Sequence, residues 1–142
     1  MSTETLSKDS LAALYAGAYQ LYRNGKYQEA VHMFRFLTMR EPMTKKNWMG
    51  LGASYQMMNE HDRAIQSYAC ATKLDETDPK PHMHAAECFF SKKEGRLAED
   101  ALLHAERLAK SHEDSEKLFT RLALIRKTCS NVPKIKREGT HG

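Results

Sequence analysis

Three stretches of this chain carry residue types that could do chemistry. "HMHAAEC" sets His82, His84 and Cys88 close together, and imidazole and thiolate are zinc ligands. "MGLG" separates Gly50 and Gly52 by one residue, the spacing that opens phosphate-cradling loops. "LYAGAYQLYR" places Tyr15, Tyr19 and Tyr22 at i, i+4 and i+7, which on a helix is one aromatic stripe. The first two weaken when tested for geometry. Residues two apart on a helix point away from each other, so of the histidines only His84 shares a face with Cys88, and two ligands are too few for zinc. A dinucleotide fingerprint needs a preceding strand and a third glycine, but Tyr55 stands at that position. No Ser/His/Asp arrangement follows from spacing alone. Neither an enzyme nor a bound metal or cofactor is expected, and the tyrosine stripe points to binding.

Something must hold that stripe in place, and the composition limits what. The 142 residues are enough for one cored domain, with 41% hydrophobic and 28% charged residues, ordinary for a globular or helical-repeat protein. No window approaches the ~18 apolar residues of a membrane span, and "MSTETLSKDS" has neither the basic nor the apolar region of a secretory signal, so direct membrane insertion is not expected. Three cysteines without a CxxC pair suit a reducing, cytoplasmic setting. The net charge of +4 suggests nucleic acid until it is located. Residues 126–142 carry five Lys/Arg and one Glu, which leaves residues 1–125 with 17 basic and 17 acidic side chains. A phosphate-tracking groove needs its excess on the folded part, so nucleic acid is not an expected partner.

A 34-residue period supplies the scaffold. "WMGLGASY" holds Trp48, Leu51, Gly52 and Tyr55 in the W-x2-L-G-x2-Y spacing of a tetratricopeptide repeat, and Ala64, Tyr68 and Ala71 follow where its second helix packs. A shift of 34 in either direction keeps the frame: Leu14, Ala18, Ala30 and Phe34 fall on it upstream, and Ala86, Phe89, Ala98 and Leu102 downstream. Small residues let the two helices of each unit cross closely. Gly25, Asn59 and Gly95 are expected to break the chain between them. The fold class is therefore all-α: three repeats (11–44, 45–78 and 79–112) in a curved solenoid, preceded by a flexible N-terminus at 1–10. A capping helix is expected over 113–130, carrying Leu118, Leu122, Ile125 and Cys129, with Ser111 and Asp114 as its N-terminal capping pair. Residues 131–142 form an expected disordered basic tail. That makes seven helices and no strands.

The first helix of each repeat lines the concave side of such a solenoid. In this frame the lining is Tyr15, Tyr19 and Tyr22 from the first unit, Lys46, Met49, Ala53, Gln56 and Met57 from the second, and Met83, Glu87 and Phe90 from the third. Leu14, Leu21, Trp48, Leu51, Tyr55 and Phe89 already occupy the packing positions, so the tyrosines and methionines are surplus to the core. Such a groove suits an extended peptide with a few apolar anchors. The carboxylate clamp that other repeats of this kind use for heat-shock chaperone tails is disfavoured, because Tyr15, Tyr19 and Gly50 stand where its Lys and Asn residues belong.

"YRNGKYQEAVHMFRFLTMRE", "MGLGASYQMM", "AIQSYACATKLD" and "HMHAAECFF" resemble the class II chaperones of bacterial type III secretion systems over about residues 11–110. The resemblance implies a small cytoplasmic protein that holds two hydrophobic translocator subunits before export. It implies an extended client segment of the Pro/Val-x-Leu-x-x-Pro kind in the groove, and it matches the family's groove aromatics to Tyr15, Tyr19 and Tyr22. Members commonly carry a longer N-terminal segment with a helix implicated in dimerisation, where this chain has ten residues before the first repeat. A homodimer would then need another surface. A generic repeat adaptor in a larger assembly is the alternative reading.

Overall fold

The structure, a computed structural model, describes residues 6–130. Those residues form seven α-helices and no strand, in two compact units that divide between Thr77 and Asp78. The first unit contains α1 (Lys8–Arg23), α2 (Tyr27–Arg40), α3 (Lys45–Met57) and α4 (His61–Leu74). The second contains α5 (Lys80–Ser91), α6 (Gly95–Ala109) and α7 (Ser115–Ser130). Helix α1 starts inside the stretch expected to be flexible, because the Ser7 side chain accepts the Ser10 N–H and so caps the helix at Lys8. The basic tail lies outside the described residues.

The period seen in the sequence recurs in the backbone. Helices α1, α3 and α5 each end in a Schellman motif whose left-handed residue is Gly25, Asn59 or Lys93, with φ of 80°, 61° and 64°. In each, the following N–H reaches back five residues, closing a six-residue loop: Lys26 to Leu21 O, Glu60 to Tyr55 O and Glu94 to Phe89 O, all at 2.9 Å. The third turn corrects the expectation for Gly95. That glycine is the first residue of α6, and the left-handed conformation falls two residues earlier on a lysine. The six-residue hydrogen-bonded ring sets where the positive φ must lie, whichever residue occupies it.

Small residues bring the helices together as expected. Ala18, Ala30, Ala64, Ala86 and Ala98 are fully buried. The two glycines of "MGLG" prove to be a matched pair of sockets. A Cβ on Gly50 would sit 2.3 Å from the ring of Phe34 on α2, and one on Gly52 would sit 2.6 Å from the ring of Tyr68 on α4. Helix α3 thus receives one aromatic ring from each of its neighbours, and both rings are buried. Lys45 at the start of α3 reaches Asp75 after α4 at 2.8 Å. Asp75 also accepts the Thr77 N–H and hydroxyl, and these bonds, led by the one from Lys45, lower its pKa to about 2.

In the second unit, α7 covers the apolar side of the last repeat. Leu118, Leu122 and Ile125 join Ala101, Leu102 and Ala105 of α6 in one core, with Cys129 packed at its edge. Arg126 ties the two helices through Glu99 and Glu106. The start of α7 departs from the expected Ser111–Asp114 cap. The Ser111 N–H still belongs to the end of α6, reaching Leu108 O, while His112 Nδ1 accepts the Asp114 N–H at 3.0 Å and closes the turn.

Candidate functional site

The tyrosine stripe forms a ladder on α1. The rings of Tyr15 and Tyr19 lie parallel within 5° at 6.3 Å, and those of Tyr19 and Tyr22 within 14° at 6.3 Å. Each end is braced edge-on from α2, Tyr15 by Phe34 at 5.8 Å and Tyr22 by Tyr27 at 5.5 Å. Sequence reasoning took Phe34 for a packing residue only. Because its ring fills the socket at Gly50 while its edge meets Tyr15, it also sets the position of the ladder. The absence of a side chain at Gly50 was the available signal.

Helix α3 adds the adjoining strip. Lys46 Nζ stands 4.3 Å from the Tyr15 ring centroid, and the Arg23 guanidinium lies 5.9 Å from that of Tyr19. Burial and the neighbouring Tyr19 raise the Tyr15 pKa, which keeps the phenol neutral. Gln56 Oε1 accepts the Tyr68 hydroxyl at 2.7 Å, so its amide is held by the core residue beneath it. Met49 and Ala53 are half-buried, and Met57 and Tyr19 are open to solvent at 49% and 47%. The eight residues expected from the first two repeats therefore lie on α1 and α3 within one unit.

The three from the third repeat behave differently. Met83 was expected in the groove but is 4% exposed, inside the core that α5 forms with α6 and α7. Helix α7 packs against both of its neighbours in the unit, and the core thus closed takes Met83 in. Phe90 packs against the same core from its margin. Glu87 is held on both oxygens, by His84 Nδ1 at 3.0 Å and by Arg121 of α7 at 3.1 Å. The would-be metal ligands also part company. The His82 ring stacks on His104 at 5.3 Å, His84 pairs with Glu87, and burial, aided by Glu87, pushes the Cys88 thiol up to about 12.

A tetratricopeptide-repeat family model matches residues 11–39 and 46–78. The "Low calcium response locus protein H" of Yersinia pestis is 33% identical over 136 residues, covering 96% of this chain and 79% of that protein. This chain belongs to the translocator chaperones of type III secretion systems. Two solved members show the same fold. The Yersinia enterocolitica chaperone SycD, in complex with a peptide of the translocator YopD, is 32% identical with a TM-score of 0.82, covering 89% of this chain and 97% of that one. PcrH of Pseudomonas aeruginosa, in complex with the chaperone-binding region of PopD, is 29% identical with a TM-score of 0.84, covering 91% and 97%. SycD has also been solved as a dimer. Among the described residues of this translocator chaperone, no helix is long and apolar enough to cross a membrane.

Proposed function

We propose that this chain is a cytoplasmic chaperone that binds hydrophobic translocator subunits of a type III secretion system through the tyrosine and methionine face of its first unit, keeping them soluble, apart and competent for export. The observation that carries this reading is the ladder of Tyr15, Tyr19 and Tyr22, braced from α2 by Phe34, with Tyr19 of α1 and Met57 of α3 open to solvent. Rigid stacked phenols offer contact area at little entropic cost, and methionines adapt to the shape of what lies on them. An extended segment with apolar anchors would lay them along this face, each contributing about 1.5–3 kcal/mol against the cost of ordering the peptide. Three anchors give roughly micromolar affinity. The chemistry is exclusion: apolar segments held here are unavailable to aggregate or to pair with the fellow translocator. Glu87 and Phe90 of the second unit stay proposed client contacts, and Met83, buried in the core of that unit, is withdrawn. A homodimer remains a proposed partner state, in keeping with the dimer of SycD.

The test is co-expression with translocators of the same secretion locus, followed by co-purification from the soluble fraction. Native chain should carry the client through the column, and Tyr19→Asp should lose it while retaining its helical circular-dichroism spectrum. Capture that survives Tyr19→Asp unchanged would move the binding surface elsewhere.

A further inference from the structure

The first unit has a second concavity that the tyrosine face does not use. A cleft of about 480 Å³ opens between α2 and α4, with Trp48, Leu51 and Tyr55 of α3 as its floor, Met39 on its wall and Arg35 and Arg63 at its rim. Its floor residues and the strip Met49, Ala53, Gln56 and Met57 lie on opposite sides of α3, at about 100° per residue. The two surfaces are therefore separately accessible.

Charge sorts the occupants. The lining contains two arginines and no carboxylate, although residues 1–125 balance to zero. Arg63 stacks 5.8 Å from the Tyr55 centroid and shares Glu60 at 3.6 Å, an exposed pair that holds it loosely. Arg35 has no carboxylate partner among the described residues. A guanidinium with an apolar floor beneath it matches a carboxylate next to a bulky apolar side chain. The chain's own residues 131–142 carry Lys134, Lys136 and Arg137 against Glu138 and would be repelled. A second copy docking cleft to cleft would set arginine against arginine. The apolar floor is well made for insertion: Leu51 and Tyr55 are 5% and 7% exposed, Trp48 is half-buried with Nε1 bonded to Pro42 O at 2.8 Å, and Met39 stands 77% exposed at the edge.

We infer that this cleft is a second docking site, for a short acidic segment of a partner protein with a Phe or Leu anchor between Asp or Glu residues. The anchor inserts over Trp48 and Leu51, and the flanking carboxylates meet Arg35 and Arg63. This gives the chaperone a way to engage another protein while the tyrosine face is occupied.

Trp48 is the chain's one tryptophan, so the cleft carries its own reporter. The full chain would be titrated with synthetic nonapeptides having a central Phe or Leu flanked by Asp and Glu, and with the same peptides in Asn and Gln form. The expected result is a saturable change in Trp48 emission, at least roughly tenfold tighter for the acidic peptides and weakening as salt screens the charges. Arg35→Glu should abolish the preference and transfer it to Lys-flanked peptides, and Tyr19→Asp should leave it intact. Equal binding of acidic and neutral peptides, silence of Trp48 towards all of them, or loss of the response in Tyr19→Asp would each overturn the inference. If Arg35→Glu fails to fold, the acidic-to-neutral comparison on the native chain still decides.

Discussion

Met49 and Met83 occupy the same place in the 34-residue repeat, yet one lies half-buried on the proposed binding face and the other lies 4% exposed in a core. The difference does not come from α3 and α5 themselves, which share frame, length class and terminating turn. It comes from what packs beside them. Helix α3 receives Phe34 and Tyr68 at its two glycines, which leaves Met49, Ala53 and Met57 outside the core as part of the proposed binding face. Helix α5 belongs to a three-helix unit in which α7 closes the core over Met83 and fixes Glu87 through Arg121. A repeat position is thus a statement about backbone geometry, and only the neighbouring helix decides whether it is surface or interior.

The sharpest way to break this comparison is to place a carboxylate at both positions. Met83→Asp buries an unpaired acid and should destabilise the second unit by about 3–5 kcal/mol, read by urea denaturation. Met49→Asp should cost under about 1 kcal/mol of stability and lose client in the co-purification assay. Equal stability losses would erase the distinction. Next in size is the socket beneath the ladder. Phe34→Ala should lose about 3–5 kcal/mol, and Gly50→Ala about 1–3 kcal/mol because its Cβ meets the buried Phe34 ring at 2.3 Å. Gly95→Ala, where nothing stands within 4 Å, should be neutral or slightly stabilising in the same urea denaturation.

The turns give smaller effects of opposite sign. Gly25→Ala should destabilise by about 1 kcal/mol, since a Cβ is disfavoured at φ 80°. Lys93→Gly should raise the melting temperature, because glycine relieves the same conformation there, offset in part by its greater freedom when unfolded. The smallest effect concerns the Lys45–Asp75 pair. With its folded pKa lowered to about 2, Asp75 contributes stability that is present above its unfolded pKa of about 3.9 and fades as pH falls towards 2. Asp75→Asn should therefore narrow its gap to the native chain between pH 4 and 2, and a constant gap across that window would remove the pair from the account.

Much of the fold was legible because it rests on spacing. The 34-residue frame located the first six helices and the fully buried alanines, and helical spacing gave the apolar side of α7 and set Tyr15, Tyr19 and Tyr22 on one face. The expected breaker at Gly95 and the cap at Ser111 were read from composition, and both missed by a few residues. A Schellman ring and a helix start depend on which carbonyl a given N–H reaches, which residue preference only biases. Gly50 shows the same limit from the other side: its glycine was visible, but the ring that requires it is 16 positions away in sequence.

The sequence by itself determined the repeat, the helix count, the aromatic stripe and the family resemblance, since each follows from side-chain types at fixed intervals along a regular helix. The tertiary structure decided that Met83 is core, that Phe34 braces the ladder through Gly50, and that Arg35, Trp48 and Arg63 meet at one cleft. Those outcomes depend on contacts between helices, where packing at close range, and not periodicity along the chain, determines what remains exposed.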